Sequence, residues 1–351
     1  MGEVENRKGA QSPAHRLVGL TLNTGWKVVA KHPRLPGATG GKYSVCYEIE
    51  KDGQRAFLKA LDFSRAAEDT SQDLARALQA LTEAFNFERD VLRSCRAGRM
   101  DRVIAPLEDG EARVDDSSLG RVPYLIFERA EGDIRSQLPL FDLALRMRAL
   151  HHIATGLFQL HGGGIAHQDL KPSNVLKFGD ISKVADLGCA SVRGRTGPMD
   201  ADNCPGDKTY APPELLYGYT LSDFNARRFG CDAYLMGSMV VFFFAGVSAT
   251  AGILAKLHEE HRPRRWSGTY VEVLPYLRNA LGEAVKVWSS EIPGKHFKAE
   301  LVDVIRQLCD PDPTLRGHPR NKIGYGNRYS LERYVSIFDR LATRARMGIL
   351  D

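Results

Sequence analysis

Two short segments of the sequence bring carboxylates, a lysine and an amide together at spacings that suit phosphoryl transfer. Residues 167–174 read HQDLKPSN, and residues 184–188 read VADLG. One carboxylate in such a group can orient an attacking hydroxyl and accept its proton. A second carboxylate and an amide oxygen are hard ligands of the kind that magnesium prefers, and a lysine can neutralise charge on a moving phosphoryl group. The two segments therefore predict magnesium-assisted phosphoryl transfer, rather than two ordinary turns.

The same residues resemble the eukaryotic-type protein kinase family, whose signatures appear here in order over nearly the whole chain. The resemblance implies that Asp169 is the catalytic base, that Lys171 contacts the phosphate, and that Asn174 binds a magnesium ion. Asp186 stands where the family has the aspartate of Asp-Phe-Gly, so it is the other implied magnesium ligand. The resemblance thus implies ATP and Mg²⁺ as cofactors. The lysine two residues after Asp169 favours a serine/threonine kinase over a tyrosine kinase.

A lysine on a predicted strand and a glutamate on the helix that follows resemble the family's phosphate-anchoring ion pair. Lys59 ends the segment AFLK at residues 56–59. Glu88 precedes Leu92 by one helical turn and is the predicted partner, with Glu83 as the alternative. The order of the surrounding motifs favours this ion pair over two solvated surface charges.

Nucleotide-binding residues are implied on both sides of this pair in the sequence. Gly40 and Gly41, followed by Val45, match a glycine loop whose backbone amides approach phosphates closely. Residues 124–130 (YLIFERA) resemble the hinge that hydrogen-bonds adenine. The implied adenosine contacts are the gatekeeper Phe127, the backbones of Glu128 and Ala130, the ribose-binding Asp133, and Leu176.

The later part of the chain carries three more matches to the family. Residues 210–214 (YAPPE) resemble the end of the activation segment, and residues 312–316 (DPTLR) resemble the late arginine motif. The resemblance implies a buried ion pair between Glu214 and Arg316. Asp232, at the start of a predicted buried helix, matches the aspartate that braces the catalytic loop.

Four departures from the family pattern keep other functions open. The glycine loop is imperfect, Gln168 replaces the arginine before the catalytic aspartate, and Asp207 stands where many members have threonine. Phe57 stands two residues before Lys59, where the family usually has a small alanine against adenine. A pseudokinase, a scaffold that binds nucleotide or partners without turnover, is therefore one alternative. A small-molecule kinase of the aminoglycoside type is another, although the two late motifs argue against it.

The sequence does not favour regulation by a phosphate on the activation segment, residues 186–214. In many family members the arginine beside the catalytic aspartate pairs with such a phosphate, and a neutral glutamine cannot supply that charge. The segment already carries the acidic residues Asp200 and Asp202 among its hydroxyl residues Ser191, Thr196 and Thr209. We therefore predict that phosphorylation of this segment is not required for activity.

The pattern of strands and helices predicts an α+β architecture with a small β-rich N-lobe and a larger, mainly helical C-lobe, and the resemblance implies that this is the two-lobed protein kinase fold. Strands are predicted at residues 26–30, 43–49, 56–61, 103–107 and 124–127, and helices at residues 71–95 and 141–160. The predicted domains are a flexible segment 1–16, an N-lobe 17–127, a hinge 128–133 and a C-lobe 134–351.

The composition of the 351 residues fits a soluble globular protein, with 43% hydrophobic residues, 26% charged residues and a net charge of +5. Six scattered cysteines without a C-x-x-C pair argue against a zinc site or a disulfide framework. No run of like charges resembles a nucleic-acid-binding tail, so we expect no nucleic-acid partner. The sequence shows no apolar leader, so we expect no signal peptide. The uncharged segment 239–255 is expected to be a buried helix ending near Gly246, and not a membrane span. A cytoplasmic setting is therefore expected, with ATP and a protein substrate as partners.

Overall fold

The computed structural model describes residues 12–33, 43–64, 66, 73–115, 120–323 and 326–351. The predicted glycine loop, with Gly40 and Gly41, lies outside the described residues. The chain divides into two compact units, which are Met1–Arg96 with Ala105–Arg129, and Ala97–Ile104 with Ala130–Asp351.

The first unit is built on a five-stranded antiparallel sheet with the strand order β1-β2-β3-β5-β4. Its strands are β1 (Lys27–Lys31), β2 (Ser44–Lys51), β3 (Gln54–Leu61), β4 (Glu108–Arg113) and β5 (Arg121–Glu128). Asp52 and Gly53 join β2 to β3 with positive φ angles of 50° and 77°. Two successive residues in the left-handed region are typical of a tight type I′ hairpin turn.

One face of this sheet forms the core of the first unit, because apolar residues alternate along its strands. The residues of β2 and β3 that belong to this core are Val45, Tyr47, Ile49, Ala56, Leu58 and Ala60. Phe57 and Lys59 of β3 point to the opposite face and are half-buried. Helix α1 (Leu74–Ala97) follows the sheet's first three strands and buries a stripe at helical spacing that includes Glu88 and Leu92.

The strand predicted at residues 103–107 is wrong. Val103 forms only an isolated bridge to Val184, and the strand lies further on, at Glu108–Arg113. That strand reads EDGEAR and lies at the edge of the sheet, where little of it is buried, so it carries no alternating apolar pattern. Residues 97–104 also group with the second unit instead of the N-lobe.

The flexible segment predicted for residues 1–16 is too long. Residues 13–15 form a 3₁₀ turn in which Ala14 is buried, and the Ala14 carbonyl accepts a hydrogen bond from Tyr47 Oη at 2.5 Å. The buried carboxylate of Asp62 accepts from Ser12 Oγ at 2.7 Å and lies 3.1 Å from His15 Nε2. This part of the chain therefore packs against the sheet of the first unit.

The second unit is mainly helical. Its helices are α2 (Ile134–Gln137), α3 (Leu143–Gly162), α4 (Pro213–Leu216), α5 (Gly230–Ala245), α6 (Ala249–Lys256), α7 (Tyr270–Ser290), α8 (Lys295–Leu308) and α9 (Glu332–Arg346). Asp142 caps α3 by accepting from the Leu145 N–H, and Thr269 and Glu272 form a capping box at the start of α7.

Helix α5 is the centre of the second unit, because it is buried nearly all round. It ends at Gly246, whose φ of 70° stops the helix in the left-handed conformation, so the predicted helix end is confirmed. By length and composition, Asn225–Ala245 is the one helix among the described residues that could cross a membrane, but 83% of its apolar window is buried within the protein.

Short strands in the second unit place the two predicted catalytic segments side by side. A three-stranded sheet has the order β6 (Gly132–Asp133), β8 (Val175–Phe178), β9 (Ile181–Val184), and β7 (Ile165–Ala166) pairs with β10 (Ser191–Val192). Val175 is paired with Val184 across β8 and β9. Just beyond that pair, the Ala185 N–H donates to the Asn174 carbonyl at 2.9 Å.

Candidate active site

In the predicted catalytic loop, two functional side chains donate hydrogen bonds to the carboxylate of a third. Asp169 Oδ2 accepts from Lys171 Nζ at 2.9 Å and from Asn174 Nδ2 at 3.0 Å. The Asn174 amide also donates to the Asp169 carbonyl at 2.8 Å. All three residues are buried. Although burial alone would lower it, the charges of Asp169 and Asp207 raise the pKa of Lys171, so this lysine is a permanent cation at the site.

Two buried groups fix the backbone of this loop. Asp232, at the start of α5, accepts from the backbone N–H groups of His167 and Gln168, both at 2.8 Å. His167 Nε2 lies 3.0 Å from the Ala185 carbonyl, and its Nδ1 lies 3.2 Å from the Asp169 N–H. The first contact needs a protonated Nε2 and the second an unprotonated Nδ1, so the network selects a single tautomer. The bracing contact predicted for Asp232 is therefore present.

The two predicted magnesium ligands have a donor set that fits the ion. The Asn174 amide nitrogen donates to Asp169, so the side-chain carbonyl oxygen is the atom of this residue that could act as a metal ligand. Asp186 lies after β9 with a φ of 64°, in the left-handed region that non-glycine residues seldom adopt. A carboxylate and an amide oxygen are suitable for Mg²⁺. The following residue, Leu187, is fully buried, in keeping with the apolar side chain predicted there.

The end of the activation segment contacts the catalytic loop through residues 206–207. The Asp207 N–H donates to Asp169 Oδ1 at 2.7 Å, and the Asp207 carboxylate lies 3.7 Å from Lys171 Nζ. Burial alone would raise the pKa of Asp207, but hydrogen bonds from Thr209 and the charge of Lys171 hold it below its ordinary value. Asp207, which stands where many family members have threonine, thus adds a second carboxylate beside Lys171.

Lys59 and Glu88 form the ion pair predicted from the sequence. Lys59 Nζ lies 2.9 Å from Glu88 Oε1 and 3.2 Å from Oε2, which joins β3 to α1 within the first unit. Glu83 instead accepts from Gln79 on the exposed side of the helix. Phe57 shares the face of β3 with Lys59, and its ring lies 5.4 Å from that of His32.

The predicted nucleotide contacts are divided between the two units. In the first unit, Val45 and Phe127 are buried in the sheet, and Glu128 is the last residue of β5. In the second unit, Asp133 is paired with Leu176 across β6 and β8; Ala130 precedes these strands and is half-buried. Asp133 Oδ1 also accepts from the Ser136 N–H at 2.8 Å, which caps α2. Binding of adenosine by these residues stays a prediction.

Glu214 and Arg316 form the buried ion pair that the late motifs predict. Arg316 Nη1 and Nη2 each lie 2.5 Å from a different oxygen of Glu214. Arg316 also donates to the Asp310 carbonyl at 2.7 Å, and its guanidinium lies over the Tyr234 ring at 4.9 Å. Although burial alone would lower it, the charge of Glu214 raises the pKa of the Arg316 guanidinium.

Sequence reasoning missed one residue beside the catalytic loop. Arg228 lies in the π-helical turn Asn225–Phe229 directly before α5, and Arg228 Nη1 donates to Gln168 Oε1 at 2.9 Å. Its sequence neighbours form no motif, so the only signal available was the missing arginine at position 168, which leaves room for a cation from elsewhere.

Comparison with known proteins agrees with this geometry. The family described as "Protein kinase domain" matches residues 40–322. Similar proteins include the serine/threonine-protein kinase mos of Xenopus laevis, 40% identical over 95 residues, which are 24% of this chain and 26% of that protein. A probable serine/threonine-protein kinase of Streptomyces coelicolor is 26% identical over 193 residues, which are 52% of this chain and 28% of that protein.

A third relative is extracellular signal-regulated kinase 2 of Dictyostelium discoideum, 25% identical over 187 residues, which are 51% of this chain and 49% of that protein. This chain therefore spans at most about half the length of these relatives. The family match, in contrast, covers most of the chain and contains both predicted catalytic segments. The chain belongs to the protein kinase domain family.

Proposed function

We propose that this protein transfers the γ-phosphate of ATP to serine or threonine hydroxyls of a protein substrate. The observation that carries the proposal is the buried cluster in which Asp169 lies within 3.0 Å of both Lys171 and Asn174. A carboxylate held in this way by two donors has a fixed orientation, which general-base catalysis requires. The relatives named above as serine/threonine kinases support the choice of acceptor.

Each side chain has one role in the proposed reaction. Asp169 orients the acceptor hydroxyl and takes its proton, and Lys171 neutralises charge on the transferred phosphoryl group. Asn174 and Asp186 would hold Mg²⁺, which supplies charge neutralisation on the phosphates when it is bound. In the first unit, the Lys59 ammonium, kept in place by Glu88, would contact the nucleotide phosphates.

The test is transfer from labelled ATP and magnesium to casein or histone, measured on the wild type and on Asp169→Asn. The substitution keeps the shape but removes the base, so we expect turnover to fall by about a hundred- to ten-thousand-fold. Asp180→Asn, on the exposed turn between β8 and β9, makes the same chemical change as a control and should keep wild-type turnover. Wild-type turnover in Asp169→Asn would disprove the assignment of the base.

The half-buried Phe57 on the face of Lys59 supports a second candidate, a pseudokinase that binds nucleotide or partners without turnover. A benzyl group there competes for the space that a small residue leaves to adenine. Calorimetry with Mg-ATP, read together with the transfer assay, separates the two functions, because a pseudokinase binds partners or nucleotide yet transfers nothing to any acceptor. If Phe57 hinders ATP binding, Phe57→Ala should bind ATP more tightly than the wild type. In an active kinase, the wild type itself should bind ATP and the substitution should not increase its affinity.

A further inference from the structure

The residue before the proposed base is tied to a buried arginine. Arg228 is 4% exposed, and its Nη1 donates to Gln168 Oε1 at 2.9 Å. In return, Gln168 Nε2 donates to the Arg228 carbonyl at 3.1 Å. The two hydrogen bonds run in opposite directions, so they use both ends of the glutamine amide. A neutral amide is therefore suited to this position in a way that a second guanidinium would not be.

The other side of the same guanidinium holds the activation segment. Arg228 Nη2 lies 3.0 Å from the Asp200 carbonyl and 3.1 Å from Asp200 Oδ1. The Asp200 carboxylate in turn accepts from Ser191 Oγ at 2.7 Å and from the Gly197 N–H at 2.6 Å. The Asp200 carboxylate thus connects Ser191 and Gly197 of the activation segment to Arg228.

Movement of Gln168 would act directly on the catalytic aspartate. Gln168 has a φ of 68°, a left-handed conformation that is strained for a glutamine. It is held there by the bond from its N–H to Asp232 on one side and by Arg228 on the other. Because Asp169 is the next residue, loss of the side-chain anchor would change the direction in which its carboxylate points.

We propose that Arg228 is a positioning residue for the phosphoryl transfer proposed above, on which this inference rests. The Gln168–Arg228–Asp200 bridge supplies from within the chain the cation and the anion that order the activation segment against the catalytic loop. No phosphate is needed for this, because the Asp200 carboxylate already occupies the Arg228 guanidinium. The chain should therefore transfer phosphate without prior phosphorylation of its activation segment.

The experiment compares Arg228→Met and Asp200→Asn with the wild type in turnover, in ATP affinity by calorimetry, and in hydrogen–deuterium exchange of residues 191–202. We expect kcat to fall about 10- to 100-fold in each variant, as removal of a charge-assisted hydrogen bond implies. ATP affinity should change less than threefold, and exchange of the segment should rise. Arg228→Lys keeps the charge but cannot bridge both partners, so its kcat should lie between those of the wild type and Arg228→Met.

The matched control is Arg227→Met, one residue earlier in the same turn. Arg227 Nη2 reaches the Asp200 and Asp202 carbonyls at 3.2 and 3.4 Å but does not contact Gln168. Its loss should leave kcat within about threefold, because it removes only weak contacts to backbone oxygens. Because Arg228 is buried and its loss could unfold the chain, Asp200→Asn at the half-buried end of the bridge is the deciding variant.

Two results would contradict the role proposed for the bridge. Wild-type kcat in Asp200→Asn, or complete loss of activity when the wild type is treated with phosphatase, would overturn the proposal. If the wild type transfers no phosphate to any acceptor, the proposed function fails. The exchange measurement then still decides whether the bridge exists, since faster exchange of residues 191–202 in Asp200→Asn, but not in the exposed-turn variant Asp180→Asn, does not depend on catalysis.

Discussion

Asp200 and Glu214, both in the activation segment, pair with arginines that lie outside it, and the two pairs are built in different ways. Near the middle of the segment, Asp200 pairs with Arg228 at 3.1 Å, and the two side chains are 27% and 5% exposed. At its end, Glu214 pairs with Arg316 at 2.5 Å, with side chains that are 5% and 0% exposed. The first carboxylate is shared with a serine hydroxyl and a backbone N–H, whereas the second takes both guanidinium nitrogens of a single arginine.

Because of this difference, we expect one pair to act on catalysis and the other on folding. Removal of one partner from a buried, bidentate pair leaves the other charge buried and unpaired, so the folded protein is destabilised. A pair open to solvent on one side loses much less, because water replaces the missing partner. Only the Asp200 pair continues through Gln168 to the proposed base. We therefore expect loss of the Glu214 pair to lower the free energy of unfolding, and loss of the Asp200 pair to lower the rate of phosphoryl transfer.

The largest expected effect is that of Arg316→Met. Glu214 would remain buried and unpaired, and the carbonyls of Asp310 and Pro311 would lose their donor. The free energy of unfolding should fall by about 3 to 5 kcal/mol. Denaturant titration followed by circular dichroism measures the change.

Arg340→Met is the matched control for that experiment. Arg340 also forms a bidentate pair, with Glu300, but its side chain is 52% exposed and Glu300 keeps Arg344 as a partner. Its loss should cost at most about 1 kcal/mol. Equal losses of stability in the two variants would show that burial does not distinguish these pairs.

A smaller effect, on activity and not on folding, is expected from Gly206→Ala. A Cβ at residue 206 would lie 2.4 Å from the Gln168 carbonyl and 2.9 Å from Asp169 Oδ1, so backbone would have to shift. Displacement of reacting groups by about 1 Å can reduce rates about a hundredfold, and we expect a fall in kcat of that order. Steady-state kinetics with casein measures it.

Gly282→Ala, in the middle of α7, is the matched control for Gly206→Ala, because it adds the same methyl group far from the catalytic loop in sequence. A Cβ there meets nothing within 4 Å, and alanine in a helix interior is favoured over glycine by up to about 1 kcal/mol. This variant should keep wild-type kcat and gain slightly in stability. If Gly206→Ala also keeps wild-type kcat, the close approach of the activation segment to the catalytic loop does not position Asp169.

The sequence predicted those parts of the site whose residue types and order are tied to the chemistry. Asp169, Lys171 and Asn174 lie together as expected, and the pairs of Lys59 with Glu88 and of Arg316 with Glu214 are present. Each of these contacts follows from a motif with a fixed place in the family, so its partner could be named without a structure.

Contacts between residues without a motif could not be predicted. Arg228 meets Gln168 because the turn before α5 packs against the catalytic loop, and the two residues lie 60 positions apart in the sequence with no pattern that indicates the contact. The edge strand Glu108–Arg113 was missed because a strand that buries little has no reason to alternate apolar and polar residues. The polar composition of residues 1–16 predicts a flexible segment, and the contacts of Ser12 and His15 could not be predicted because their partner, Asp62, lies far away in the sequence.

The smallest expected effect is that of Thr196→Ala. Of the hydroxyl residues considered in the activation segment, Ser191 is buried against Asp200, and Thr209 Oγ1 donates to Asp207, so both have structural partners. Thr196 is exposed and is therefore the most accessible of the three to another kinase. Because Asp200 already neutralises Arg228, a phosphate on Thr196 has no unpaired Arg228 to bind. Turnover of Thr196→Ala and of Thr196→Asp should stay within about twofold of the wild type, as is usual for exposed substitutions. Loss of turnover in Thr196→Ala that Thr196→Asp restores would show instead that the segment waits for a phosphate, and that the half-exposed pair is too weak to order it alone.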